Sequence, residues 1–224
     1  MTFLSKAKSL LFPSGCELHQ VKFGLLRGLT LPLDLQHQSQ TYFGTWEREH
    51  YGWTHRLSRD ICTFVDIGAN HGIMTAYGAA RTGARRILAF EPRTDLHSVI
   101  ETSVEMNGEV DTFMLDNRFV SNATTDTSVC LDNFADEICY PCFLKVDVDG
   151  GEEEVLRGAE QVFTNGDARL LLETHSKALE DACLDVLAGY GYETRIIDNA
   201  WWRFILPEQR GCAHNRWLAA FPDA

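Results

Sequence analysis

Acidic residues recur at the ends of apolar runs in this sequence. Asp66 closes Phe64-Val65, Glu91 follows Ile87-Leu88-Ala89-Phe90, and Asp116-Asn117 follows Phe113-Met114-Leu115. Further along, Lys145, Asp147 and Asp149 alternate with Leu144, Val146 and Val148, and Glu173-Thr174-His175 follows Leu170-Leu171-Leu172. Carboxylates and an imidazole gathered at one edge suit the binding of hydroxyl or cationic groups and the movement of a proton. His175 is the first candidate for a general base because imidazole titrates near neutral pH, and Asp147 is the second. Lys145 and Glu173 complete the catalytic candidates. A charged residue inside a strand is costly unless paired, so Lys145 is expected to pair with one of these acids. Asp147, Asp149, Glu173 and His175 also offer ligands suited to a divalent cation, but the expected site is metal-free.

A second signal precedes these. Asp66-Ile67-Gly68-Ala69-Asn70-His71-Gly72 is a glycine-spaced turn between an apolar run and the helix-compatible Ile73–Ala80. Gly68 and Gly72 permit sharp bends and close approach of the backbone to a ligand, with helix N-terminal amides facing it. A dinucleotide fingerprint would need a third glycine where Ile73 stands. Glu91, at the next strand end, suits a bidentate grip on two ribose hydroxyls. S-adenosylmethionine fits this combination: it carries no phosphate, and its sulfonium and zwitterionic end suit a cleft rich in carboxylates. The residues expected to hold it are Asp66, Gly68, Ala69, Asn70, Gly72, Glu91, Pro92, Asp116, Asn117 and Asp147. The competing readings are a nicotinamide-dependent oxidoreductase and a catalytically inactive binding subunit of the same fold.

These residues need strands and helices to position them. The pattern predicts strands at Thr63–Ile67, Arg86–Glu91, Thr112–Leu115, Phe143–Asp149, Arg169–Glu173 and Glu193–Ile197. Two extended pieces, Trp202–Leu206 and Arg216–Ala220, would complete the sheet. The intervening segments carry apolar residues at helical spacing: Leu96, Val99, Ile100 and Val104; then Val155, Leu156, Ala159, Val162 and Phe163 in one helix ended by Asn165-Gly166; then Leu179, Cys183, Val186 and Leu187. Residues 118–137 read as irregular, with a short helical turn at Leu131–Phe134. Glu152, Glu153 and Glu154 crowd a helix start, as the helix dipole favours. Such alternation makes a doubly wound, mostly parallel seven-stranded sheet, with ligands at the carboxyl ends of its strands. The expected division is a hairpin and helix segment over residues 1–60 covering the cleft, then an α/β domain over residues 61–224. In the first part, Val21–Leu26 and Leu29–Leu33 read as a hairpin turning at Arg27-Gly28, with Pro32 confining its strand to an edge. Tyr42–Glu49 leads into a helix through about residue 59.

Composition bounds the rest. The 224 residues are 45% hydrophobic, enough for a full core, and carry 20 Lys+Arg against 32 Asp+Glu, a net charge of −12. Without a basic patch, that balance argues against nucleic acid as partner. No apolar run is long enough to span a membrane, and the first residues do not read as a signal peptide. Seven cysteines without framework spacing point to reduced thiols in the cytoplasm. Cys139-Tyr140-Pro141-Cys142 has the spacing of a redox or zinc pair but no second pair, so it reads as two incidental buried thiols.

Taken in order, Phe64–Gly72, Ala89-Phe90-Glu91-Pro92, Leu131-Asp132-Asn133-Phe134, Leu144–Glu152, Glu154–Ala159 and Leu172–His175 resemble the FkbM-type methyltransferases. The resemblance runs from about residue 42 to 198. The block from Leu144 through Ala159 is its most specific part, although family members more often carry Glu where this chain has Asp149. The resemblance implies a class I, Rossmann-like methyltransferase fold with S-adenosylmethionine as methyl donor. It also implies transfer to a hydroxyl on a sugar, lipid-linked glycan or secondary metabolite. It says least about residues before 42 and after Trp201, which would shape the acceptor pocket, and it leaves open whether the chain forms a homo-oligomer.

Overall fold

The computed structural model describes Phe12 and residues 14–200 and 214–223. The predicted strand at Trp202–Leu206 lies outside them.

The chain begins with an antiparallel pair, β1 (Glu17–Gln20) and β2 (Thr30–Leu33), in register from Glu17 opposite Leu33 to Gln20 opposite Thr30. The partner of β2 is therefore not Val21–Leu26, as the apolar run suggested. Those residues form turns, because Gly24 sits at φ +77 against the backbone of Gly44, where a Cβ would lie 2.8 Å from the Gly44 carbonyl. Pro32 lies in β2, whose only strand neighbour among the described residues is β1, consistent with its missing N–H donor. Helix α1 (Leu35–Tyr42) follows, capped by the Asp34 carboxylate on the Gln36 amide. After a turn and a 3-10 segment at Arg48–His50 comes α2 (Tyr51–Leu57), the helix expected to follow Tyr42–Glu49.

The α/β unit then unfolds in the predicted order: β3 (Thr63–Ile67), α3 (Ile73–Arg81), β4 (Arg86–Phe90), α4 (His97–Glu105) and β5 (Thr112–Asp116). Two short parallel strands, β6 (Phe119–Val120) and β7 (Ser128–Val129), bring order to a region that reads as irregular, and the helical turn expected at Leu131–Phe134 is a 3-10 segment at Leu131–Glu137. Next come β8 (Cys142–Val146), α5 (Glu152–Arg157), α6 (Glu160–Thr164), β9 (Ala168–Thr174), α7 (Lys177–Gly189), β10 (Tyr192–Ile197) and β11 (Arg216–Pro222). The seven-stranded sheet has the order β10-β11-β9-β8-β3-β4-β5. Strands β9 through β5 in that order run parallel, and β11 enters antiparallel between β9 and β10.

Two of the predicted elements stop early, each for a local reason. The helix expected after Gly151 breaks at Gly158, where a Cβ would sit 2.0 Å from the Ser121 carbonyl. Asp132 Oδ1 caps the second half, accepting from the Gln161 and Val162 amides at 3.0 and 3.2 Å. Strand β8 ends at Val146, so Asp147-Val148-Asp149 is a turn closed by Gly150 at φ +94, not a continuation of the strand.

Alternation along each strand divides the core. Val65, Leu88, Leu144 and Leu170 face one side, packed with Val155, Leu156, Val162, Phe163, Cys183 and Leu187 from α5, α6 and α7. Phe64, Ile87, Phe143 and Leu171 face the other, packed with Leu31, Leu33, Leu35, Leu57, Ala76 and Tyr77 from the N-terminal segment and α3. The architecture is the doubly wound, seven-stranded, mostly parallel α/β fold expected. No helix among the described residues is long and apolar enough to cross a membrane. Of the Cys139–Cys142 pair only Cys142 is buried; Cys139 is exposed and its thiol contacts Cys62, at the strand ends opposite the cleft.

Candidate functional site

The carboxyl ends of β3, β4, β8 and β9 open on a cavity of about 960 Å³. Its walls include Gly68, Asn70, Glu91, Pro92, Asp147, Asp149 and His175. A second cavity of about 240 Å³ lies between the N-terminal segment and the glycine turn, with Leu25, Leu26, Thr41, Glu47, His50 and Tyr51 on one side and Gly68–His71, Lys145 and Asp147 on the other. Trp46, Gly68, Asn70 and Asp147 line both.

The turn after β3 is fixed by backbone geometry. Gly68 has φ +76, and a Cβ there would lie 2.0 Å from the Asp147 carbonyl oxygen. The Gly68 and Ala69 amides donate to the Phe90 carbonyl at 3.0 and 3.1 Å. Asn70 is left-handed at φ +49, which aims its amide at Glu91. Gly72 lines neither cavity. At φ +71 it allows α3 to start against Ile100, whose Cα would be 2.8 Å from a Cβ. There it packs against α4, whereas the spacing pattern suggested ligand contact. Ala69 likewise packs with Ala89, Leu96 and Ile100, while lining the smaller cavity.

Glu91 is buried just past β4. Its Oε2 accepts the Asn70 amide at 2.7 Å and its Oε1 the Arg93 amide at 2.9 Å. Each carboxylate oxygen has about two acceptor positions, so one remains on each for a ligand hydroxyl. Pro92 lines the cavity beside it. Asp116 and Asn117 line neither cavity. Asp116 instead grips Arg118 through Oδ1 to Nε at 3.0 Å and Oδ2 to Nη2 at 2.5 Å, and this Arg118 contact holds its carboxyl below the usual range despite partial burial. The wall on this side is made by Arg118, Phe119, Val120, Ser121 and Ser128, none of which the sequence patterns singled out. Their signal is faint because they sit on or beside two-residue strands with no periodicity to read.

Asp66 is wholly buried and lines neither cavity. Its Oδ2 accepts from the Thr75 hydroxyl at 2.6 Å, and its Oδ1 lies 3.4 Å from Lys145 Nζ. Lys145 also donates to the Gly68 carbonyl at 2.7 Å and lies 3.5 Å from Asp147 Oδ2. Burial opposes the charge on Lys145, but the carboxylates of Asp66 and Asp147 push its pKa up. Lys145 is thus the pin between the glycine turn and the β8 end, and Asp66 its buried counter-ion.

Asp147, Glu173 and His175 offer ligand atoms that all lie within 4.8 Å of one another. Burial and the neighbouring Asp147 carboxylate raise the Glu173 carboxyl to about 10, so Glu173 is neutral and donates a hydrogen bond to Asp147. Asp147 works against burial, but Lys145 and the Glu173 hydrogen bond hold it ionised, below its ordinary value. His175 lines the larger cavity, with Nε2 at 3.6 Å from Asp149, 3.8 Å from Glu173 and 3.9 Å from Asp147. Its Nδ1 is 2.5 Å from Glu152 Oε1. That Glu152 bond raises the imidazole pKa above its usual value, against the effect of burial. Asp149 is fully exposed. The three glutamates after Gly151 do not behave alike as a dipole cluster would. Glu152 is buried on His175, Glu153 pairs with Arg157, and Glu154 accepts from the Ser121 hydroxyl at 2.7 Å.

Residues 101–194 match the methyltransferase FkbM domain, which bears out the resemblance carried by the motifs. No curated protein matches the sequence. Among solved structures, the methyltransferase FkbM from Methylobacillus flagellatus KT superposes with a TM-score of 0.52 at 15% identity. That match covers 70% of this chain and 43% of the other, so the chain spans less than half of that protein. M. jannaschii TYW2 in complex with AdoMet gives a TM-score of 0.51 at 14% identity, covering 94% of this chain and 88% of the other. Precorrin-6y C5,15-methyltransferase from Geobacter metallireducens GS-15 gives 0.50 at 14% identity, covering 79% and 90%. The fold is that of the class I methyltransferases.

Proposed function

We propose that the chain is an S-adenosylmethionine-dependent methyltransferase acting on a hydroxyl group of a sugar, glycan or other small metabolite. The observation that carries this reading is the single wall running from Glu91 through Gly68 and Asn70 to Asp147 and His175, with a donor grip at one end and proton-moving groups at the other. The residues suit this donor. The free acceptor positions on Glu91 match two ribose hydroxyls, and Gly68 lets the turn lie against the Asp147 carbonyl, where a Cβ would be 2.0 Å away.

When bound, the cofactor supplies a methyl group already activated by its positive sulfur. The chain's own residues then have three tasks. Glu91, Pro92, Gly68, Ala69 and Asn70 hold and orient the donor, so that alignment does most of the catalytic work. The ionised Asp147, kept so by Lys145 and by neutral Glu173, lies where the two cavities meet and favours positive charge there. His175 takes the acceptor's hydroxyl proton at Nε2, since Nδ1 is already committed to Glu152. Asp66, Gly72 and Asp116 support these groups from behind. The N-terminal segment from Leu25 to Tyr51 covers the cleft, as the second cavity formed with Leu25, Thr41 and Tyr51 supports. The surplus of acids favours a neutral acceptor over nucleic acid in a cytoplasmic setting.

Isothermal titration of the pure protein with S-adenosylmethionine and S-adenosylhomocysteine tests the first step. Binding of both is expected, and heat from neither would end the reading.

A further inference from the structure

The proposed base raises the question of what holds it. Glu152 stands in the first turn of α5 with no exposed surface, and it lines neither cavity. A buried carboxylate is costly unless paired. The partner of Glu152 is the His175 ring: Oε1 lies 2.5 Å from Nδ1, while Oε2 has no hydrogen bond among the described residues. A carboxylate only accepts, so the proton of this bond sits on Nδ1 and the second ring nitrogen, Nε2, faces the cavity. Three further acids face that same nitrogen: Asp147 and Asp149 from the turn after β8, and Glu173 from β9. All three lie 3.6–3.9 Å from Nε2, beyond hydrogen-bond length. Glu152, on a separate element, makes a short contact at the opposite ring edge.

We propose that Glu152 is the positioning residue of the site: by taking Nδ1–H it fixes the His175 tautomer and turns Nε2 toward the acceptor. This rests on the methyltransferase reading for the identity of the acceptor, but the Glu152–His175 unit stands on its own geometry. Glu152 touches neither donor nor acceptor and acts only through the ring. The arrangement also explains why one of three consecutive glutamates is buried while its neighbours remain at the surface. A glutamate placed there only for the helix dipole would gain nothing from burial.

The test uses the full chain and needs no acceptor. Nitrogen-detected NMR of the histidine side chains, with His175 assigned from a His175→Asn variant, reads the tautomer and titration midpoint directly. In the wild-type protein, the neutral ring is expected with its proton on Nδ1 and a midpoint above that of a free histidine. Glu152→Gln keeps the shape and an acceptor oxygen but removes the charge, so the midpoint is expected to fall while the tautomer persists. Glu152→Leu removes the acceptor, so both the midpoint and the fixed tautomer are expected to be lost. Glu152→Asp is expected to recover part of the midpoint. A His175 signal unchanged in both Gln and Leu variants would overturn the proposal. Thermal melts of each variant separate this from unfolding: if Glu152→Leu does not fold, Glu152→Gln alone decides, through its midpoint. S-adenosylhomocysteine titration runs in parallel. Its affinity is expected to stay within about twofold in Glu152→Gln, because that change acts only through the ring. Absence of binding in the wild-type protein would remove the donor reading and leave the NMR result to judge Glu152 separately.

Discussion

The two walls of the cleft are built from different physics. On the β3–β4 side, polar groups are held by the backbone: Glu91 accepts two amides, Gly68 and Ala69 donate to Phe90, and the shape depends on positive φ at Gly68 and Asn70. On the β8–β9 side, titratable side chains hold one another: Lys145 with Asp147, Glu173 with Asp147, Glu152 with His175. A wall held by backbone amides keeps one shape, which suits binding. A wall of coupled acids and bases changes charge with its surroundings, which suits proton transfer. Lys145 touches both walls, through the Gly68 carbonyl and Asp147.

Removing that joint has the largest expected effect. Lys145→Met leaves Asp66 buried without a counter-ion, and breaking a buried pair from one side costs about 3–5 kcal/mol. Urea unfolding reads this loss. Stability within about 1 kcal/mol of wild type would mean that Asp66 does not need Lys145 and that the walls are independent.

The amide-held wall breaks at Gly68. Gly68→Ala places a Cβ 2.0 Å from the Asp147 carbonyl and keeps a non-glycine residue at φ +76. The two segments must move apart, at about 2–4 kcal/mol from strain and overpacking together. Loss of S-adenosylhomocysteine binding with the circular dichroism of a folded protein is the expected outcome. Unaltered binding would show that the close approach of these segments does not shape the donor site.

Glu91→Gln is milder. It keeps the shape but weakens charge-assisted hydrogen bonds, worth about 1.5–3 kcal/mol when lost outright. Titration calorimetry is expected to show cofactor affinity falling about 10- to 100-fold, the range such an energy implies. A change under twofold would place the ribose elsewhere.

This contrast also decides how much the sequence could reveal. Apolar runs, glycine turns and strand-end acids are local features, and from them the succession of strands and helices along the chain was legible, as was the gathering of Gly68, Asn70, Glu91, Asp147 and His175, which line the larger cavity. What escaped depends on contacts between distant segments. Asp66 reads as a ligand residue because it stands beside the glycine turn, yet one position of strand alternation turns it toward Lys145 and Thr75. Glu152 reads as one of three helix-start acids because only the fold brings His175 to it. Asp116 reads as a cleft acid because its partner Arg118 turns back from beyond the strand end. The cavity wall from Arg118 to Ser128 carries no periodicity at all, and α1 is hidden by a weakly apolar, glutamine-rich sequence.

A titration whose effect is slight at pH 5 and grows with pH tests the proton-moving wall most directly. Glu173 is neutral in the folded protein because its carboxyl is raised to about 10, chiefly by burial and then by Asp147. An unfolded glutamate ionises near pH 4.3. Between these values the unfolded chain releases a proton that the folded chain keeps, so the group's contribution to stability is complete below the unfolded value and shrinks steadily as pH rises toward 10. Glu173→Gln removes the titration while keeping a group able to donate to Asp147. Near pH 4 the two proteins are therefore expected to have similar stability. With rising pH the wild-type curve falls away from the variant, so that the variant gains relative to it at pH 7 and more at pH 9. Asp147 works in the opposite sense: its lowered carboxyl adds stability above its unfolded value and loses it as pH falls through the folded one, in both proteins alike. The difference between the two curves thus isolates Glu173. Urea unfolding at pH 5, 7 and 9 measures it, and parallel curves would show that Glu173 is ionised in the folded state and that this wall is held by fixed charge.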